Sequence, residues 1–199
     1  MPWKVDRLRI LLGTMALIAL APGISEAQPV PKARADMVDL QGRAVGTVTF
    51  EQTSHGILVV ADLEGLPPGW HGFHIHETAA CDPPFASAGG HFNPSGEAHG
   101  FRSGGLHAGD LPNLFVGADG KARAEMINDR VALATERPTD IGFLNRAISA
   151  VQGAAGLEAY NLLTGRGTAV IVHARPDDYR SNPAGDSGDR IACGIIKLP

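Results

Sequence analysis

Residues 71–110 read HGFHIHETAACDPPFASAGGHFNPSGEAHGFRSGGLHAGD, a strand-like opening that runs into a long loop. Six of the chain's eight histidines fall in this one stretch. Such clustering needs a chemical reason, and metal coordination is the commonest one. His74 and His76 sit in GFHIHE, at the end of an apolar run. In a strand, residues i and i+2 project from one face about 7 Å apart, so both imidazoles can reach a single ion. His91, His99 and His107 then follow at eight-residue intervals, with Asp110 three residues beyond the last. The segment that carries them is rich in Gly, Pro and Ser and has no helical or strand period, which reads as a loop able to fold back on itself. Three imidazoles and a carboxylate make a closed tetrahedral set suited to zinc. The two strand histidines need further ligands from elsewhere.

Outside this stretch, His173 stands in TAVIVHARPDD, at the end of a strongly apolar run, and is the natural further ligand. His55 lies in the turn-like QTSHGI and reads as a solvated loop histidine. His71 opens the HGFHIH run and reads as a hydrogen-bonded histidine beneath the site. Around these motifs the chain reads as short strands split by Gly, Pro or polar turns, at 36–40, 45–52, 56–63, 70–76, 122–128, 168–174 and 190–198. TVTFEQ and ILVVADL alternate in part, as expected of an antiparallel sheet with one wet face. Short strands with this punctuation predict an all-β sandwich or barrel.

The first residues read as a targeting signal. Lys4, Arg7 and Arg9 precede an apolar run from Ile10 to Ala21, Pro22 and Gly23 break it, and Ser25-Glu26-Ala27 offers a cleavage site after Ala27. Residues 1–27 are therefore expected to be a secretory signal peptide and 28–35 a leader to a single domain at 36–199. No cysteine follows the apolar run, so no lipid anchor, and no stable membrane anchor, is expected. The formal net charge is −4 with neutral histidines. A mildly acidic chain argues against nucleic acid as a partner. It also repels an anionic substrate on average, so attraction to one has to be local.

GFHIHE, GGHFNP, HAGDLPN, IVHARPDD and GDSGDRIACGII occur in the order and context of the copper,zinc superoxide dismutases. From about residue 36 to the C-terminus the chain resembles that family, its bacterial exported branch most of all. The resemblance implies a Greek-key antiparallel β-sandwich or barrel with long metal-binding loops. It implies copper held by His74, His76, His91 and His173, and zinc by His91, His99, His107 and Asp110, with His91 shared. The implied reaction is disproportionation of superoxide to dioxygen and hydrogen peroxide. In it His91 gives and takes a proton, and zinc holds His91 and the loop in place. Arg190 would guide the anion; read without the motif, an arginine there pairs with Asp186 or Asp189. Asp177 would link one copper and one zinc histidine from outside, with the adjacent Asp178 as the alternative.

An exported chain with two cysteines most simply pairs them, and the resemblance implies a disulfide between Cys81 and Cys193. It places the protein in the periplasm or outside the cell, with a homodimer compatible. The loop 177–189 is shorter than in many eukaryotic relatives and holds no lysine, so Arg102 and Arg180 are the other candidates for steering. The chain departs from the family at 137–166, where few residues are usual. Leu144, Ile148, Val151 and Ala155 recur there at helical spacing and predict a short amphipathic helix, with its apolar stripe against the sandwich or another subunit. A reading from another class is a non-catalytic extracytoplasmic module that buffers or delivers copper or zinc. The full set of ligands, with Arg190, favours the enzyme.

Overall fold

The computed structural model describes residues 30–101, 105–133 and 160–199. Nine strands follow in order: β1 Lys32–Asp39, β2 Ala44–Thr53, β3 Gly56–Leu63, β4 Gly69–His71, β5 Phe73–His76, β6 Leu114–Val116, β7 Ala122–Asn128, β8 Ala169–His173 and β9 Arg190–Ile195. Among the described residues there is no α-helix, only a 3-10 turn at Ala86–Ala88, and no helix long and apolar enough to cross a membrane. The fold is all-β. The stripe at Leu144, Ile148, Val151 and Ala155 lies outside the described residues, as do the signal segment 1–27 and Arg102.

Seven strands form one antiparallel sheet in the order β5-β8-β9-β1-β2-β3-β7, and β4 pairs with β6 in a second, small sheet. Alternation decides which side is wet. In β1, Ala33, Ala35 and Met37 point inward while Lys32, Arg34 and Asp36 face solvent. In β3, Ile57, Val59, Ala61 and Leu63 do the same. These side chains meet Phe50, Phe73, Ile75, Leu114, Val116 and Val172 in a single core, so the large sheet curls around it. Burying side chains of this size is worth roughly 1.5–3 kcal/mol each.

β8 breaks the alternation because all five of its residues are buried. One face belongs to the main core. The other is covered by the loop after β5, where Phe85 and Ala88 pack on Ala169, Ile171 and Cys193. A strand covered on both faces reads as a continuous apolar run, as AVIV does before it ends at His173. The disulfide between Cys81 and Cys193 ties this covering loop to β9, across 112 residues of sequence.

β6 has no counterpart in the sequence reading, and other strand assignments differ from it. The expected strand 70–76 is two strands in different sheets. β4 pairs with β6, whereas β5 pairs with β8, and the switch occurs at Gly72, whose N–H donates to Arg175 O and whose carbonyl accepts from His173 N–H, both at 2.8 Å. The first strand begins at Lys32 rather than residue 36, because Ala33 and Ala35 are small enough to have hidden its inward face.

Opening the Cys81–Cys193 bond frees the loop that covers β8. Cys81→Ser should therefore lower the unfolding free energy by about 2–5 kcal/mol. Urea denaturation monitored by circular dichroism checks this, and an unchanged midpoint would contradict it.

Candidate metal centre

β5 is an edge strand. β8 occupies one side of it, with His74 opposite Ile171 and His76 opposite Ala169. The other side carries unpaired backbone groups, and the long loop supplies their partners. Ile75 N–H donates to Gly109 O and Phe92 N–H donates to Ile75 O, both at 2.8 Å; Glu77 N–H donates to Gly90 O at 3.0 Å. Gly109 N–H then closes on Phe92 O at 2.8 Å. Two remote loop segments thus dock against one residue, and they bring His91 beside His76 and Asp110 beside His74. Gly109 has to be glycine, because a Cβ there would collide with the carbonyl oxygen of Ile75.

The docking gathers two groups of ligand atoms. His74, His76, His91 and His173 form one, and His91, His99, His107 and Asp110 the other; within each, the atoms lie within 4.8 Å of one another, and every residue is buried. His91 belongs to both. Its Nδ1 lies 2.8 Å from Asp110 Oδ1, while its Nε2 is buried without a hydrogen-bond partner.

The outer nitrogens of the first group are held by fixed acceptors. His76 Nδ1 donates to Gly89 O at 3.0 Å and His173 Nδ1 to Gly188 O at 3.1 Å. Each ring is therefore the tautomer with a bare lone pair on Nε2, and these two lone pairs face each other at 3.4 Å. His74 Nε2 donates to Asp177 Oδ2 at 3.0 Å, which leaves its Nδ1 buried and unpartnered. Converging lone pairs repel unless a cation sits among them. The arrangement fits a transition metal with imidazole ligands oriented from outside.

The second group is built around a carboxylate. Asp110 Oδ1 approaches His91 and His107 Nδ1, at 2.8 and 3.3 Å, and Oδ2 approaches His99 Nδ1 at 3.1 Å. Oδ2 also accepts from the backbone N–H of His107 at 3.0 Å. Three nitrogens and one oxygen match the donors that zinc takes in closed sites.

Asp177 spans the two groups, with Oδ2 on His74 and Oδ1 on His99 Nε2, both at 3.0 Å. Asp178 points elsewhere and is exposed, bonded to Ser181. His71 is buried with Nδ1 2.7 Å from His173 O and Nε2 2.8 Å from Pro67 O, so it lies beneath the site. His55 is exposed in the β2–β3 turn. Arg190 is half-buried and pairs with neither Asp186 nor Asp189. Its Nη1 donates to Phe85 O and its Nη2 to Gly89 O, the carbonyl that also orients His76. Asp186 instead takes Arg175. The acceptor carbonyls of Gly89 and Gly188 left no trace in the sequence, since any residue type carries a carbonyl.

Burial fixes the protonation states. Lost hydration pushes all four histidines of the first group below the ordinary imidazole value, His91 to about 4 and His173 to about 3. His74, His76 and His173 are therefore neutral at any physiological pH and need shed no proton to bind a metal, whereas His91 would give up its one remaining ring proton to bind through both nitrogens. Burial would raise Asp110 and Asp177, but hydrogen bonds from the histidines outweigh it and hold both well below the usual carboxylate range. Burial would likewise lower His99; Asp110 and Asp177 together raise it instead, to about 9. This end of the site favours positive charge, which a dication supplies.

These shifts have opposite consequences for stability. Depressed histidines contribute stability that is present above pH 6.5 and lost as pH falls through their folded values, because the unfolded chain then binds more protons. His99 contributes stability that is present below pH 6.5 and lost as pH rises toward 9. Metal-stripped protein should melt highest near pH 6.5 and lower on both sides, more steeply toward pH 4. Calorimetry across that range checks this, and a melting point that climbs steadily from pH 6.5 to 9 would contradict it.

Comparison with known proteins agrees with this geometry. Residues 44–196 match the family model for copper/zinc superoxide dismutase (SODC). The chain is 37% identical to Cu-Zn superoxide dismutase 2 of Aquifex aeolicus (strain VF5), covering 94% of this chain and 96% of that one. Among solved structures it is similar to a SOD-like protein from Bacillus subtilis, with a TM-score of 0.68 and 38% identity over 82% of this chain and 97% of that one. It is also similar to the Cu/Zn superoxide dismutase from Brucella abortus, with a TM-score of 0.60 and 27% identity over 84% of this chain and 100% of that one. The chain thus belongs to the copper/zinc superoxide dismutase family, and it is an enzyme that converts superoxide to dioxygen and hydrogen peroxide with copper and zinc as its metals.

Proposed function

We propose that His74, His76, His91 and His173 hold the copper, that His91, His99, His107 and Asp110 hold the zinc, and that Arg190 receives the superoxide anion. The observation that carries this reading is His91, whose two ring nitrogens face different ligand groups. An imidazolate can bind one cation through each nitrogen, and two dications stabilise it better than one. The four-imidazole group suits copper, whereas the carboxylate-containing group suits zinc.

Copper, when bound, supplies the one-electron couple that oxidises one superoxide and reduces the next. The residues of the chain do the rest. His91 Nε2 takes up a proton in one half of the cycle and gives it to the product in the other, while its Nδ1 stays fixed on the Asp110 side. Each pair of superoxide ions consumes two protons and leaves as one dioxygen and one hydrogen peroxide. His76 and His173 hold their orientation throughout, because Gly89 and Gly188 carbonyls fix their outer nitrogens. Asp177 does the same for His74 and His99.

Arg190 uses two of its five N–H donors on the carbonyls of Phe85 and Gly89. The rest of the guanidinium is left for a small anion, and the shared Gly89 carbonyl sets its position relative to His76. Its charge helps to hold His76 and His173 below the ordinary imidazole value, after burial and the neighbouring histidines. We propose further that the chain works outside the cytoplasm, in the periplasm or beyond. The Cys81–Cys193 bond supports this, since disulfides persist in oxidising compartments.

Purified protein should carry about one copper and one zinc per chain. Elemental analysis that finds zinc alone after copper loading, with no superoxide consumption, would favour a binding module instead. Arg190→Ala should keep both metals yet lower kcat/KM by roughly 10-fold, with Arg190→Glu worse and the salt dependence reduced. Full activity of Arg190→Glu at every ionic strength, measured by pulse radiolysis, would remove Arg190 from the reaction.

A further inference from the structure

We propose that Tyr179 is a positioning residue for both metals, a latch that holds Asp177 between His74 and His99. The inference rests on the metal assignment above and adds a residue that touches no metal. Tyr179 has φ 62°, a left-handed backbone that an aromatic residue rarely adopts and that persists only where the surroundings enforce it. That conformation sends its backbone N–H and its side chain to different targets.

The N–H donates to Asp177 Oδ1 at 2.6 Å, the same oxygen that accepts from His99 Nε2. The phenol oxygen accepts from Asn113 N–H at 2.8 Å. Asn113 in turn clasps the backbone of Asp177: its Nδ2 donates to Asp177 O at 2.9 Å and its Oδ1 accepts from Asp177 N–H at 2.8 Å. The carboxylate carrier is thereby fixed at its side chain and at both backbone groups.

The ring reaches a third segment. Phe101, two residues after His99, meets it edge-on with centroids 5.3 Å apart. At Gly100 (φ 103°) the two loops touch backbone to backbone, and a Cβ would collide with the Tyr179 carbonyl. Gly100 N–H also donates to Asp110 Oδ2 at 3.3 Å. One tyrosine therefore joins the segment of His99, the segment after Asp110, and Asp177. Asp177 orients one imidazole of each metal group, so loosening Tyr179 changes the ligand field on both sides at once.

The test uses the full protein loaded with copper and with cobalt(II) in place of zinc. Tyr179→Phe removes only the phenol oxygen; Tyr179→Gly keeps the left-handed backbone and removes the ring. The expected result is a shifted cobalt visible spectrum and altered copper hyperfine splitting in both variants. Cobalt release to a chelator should accelerate by roughly 5-fold in Tyr179→Phe and on the order of 10-fold or more in Tyr179→Gly. Should Tyr179→Gly fail to fold, Tyr179→Phe still decides the matter. Cobalt and copper spectra and release rates equal to the parent's in every folded variant would overturn the latch. A parent that gives no cobalt bands at all would overturn the metal assignment, and the latch with it.

Discussion

The unpaired edge of β5 is the constraint on which the site depends. A strand of four residues cannot leave its outer N–H and C=O groups buried and unmet, because each would cost about 1–3 kcal/mol. The loop meets that demand at Ile75, and in doing so it fixes where His91 and Asp110 stand. Strand alternation sends Ile75 into the core and its neighbours His74 and His76 to the opposite face. The same four residues thus anchor the sandwich and supply two of the candidate ligands. Gly109 makes the docking sterically feasible, and the disulfide-tied loop over β8 keeps the other face of that region dry.

Dryness matters as much as position. In water the histidines would be partly protonated near pH 6.5; here burial keeps the first group neutral and ready to bind. The same burial would neutralise Asp110 and Asp177 were it not for the imidazoles that face them. The site is therefore a balance in which neutral nitrogens gather at one end and ionised carboxylates at the other, with His91 between them. Arg190 lies outside that balance, tied by carbonyls rather than by a carboxylate.

The ligand groups were legible in the sequence because their spacing and residue types are chemically specific. HxH in a strand, three evenly spaced loop histidines with an aspartate, and a histidine ending an apolar run leave few other readings. β2, β3 and β7 were legible because they alternate or end in clear turns. β6 was not, since three residues of LFV carry no period of their own. The change of sheet at Gly72 was hidden as well, because GWHGFHIH is one unbroken run and only tertiary pairing divides it. Tyr179 and Asn113 were invisible for another reason. Both act on backbone groups, and Tyr179 also through a left-handed φ, neither of which any residue type announces.

We propose that one imidazole, His91, serves both metal ions. Electron paramagnetic resonance of the protein with copper in the first group and cobalt(II) in the second tests it most directly. An imidazolate bridge couples the two spins, so the copper signal should be lost or strongly broadened once cobalt is added. An unchanged copper spectrum, with cobalt shown by its visible bands to be bound, would contradict it.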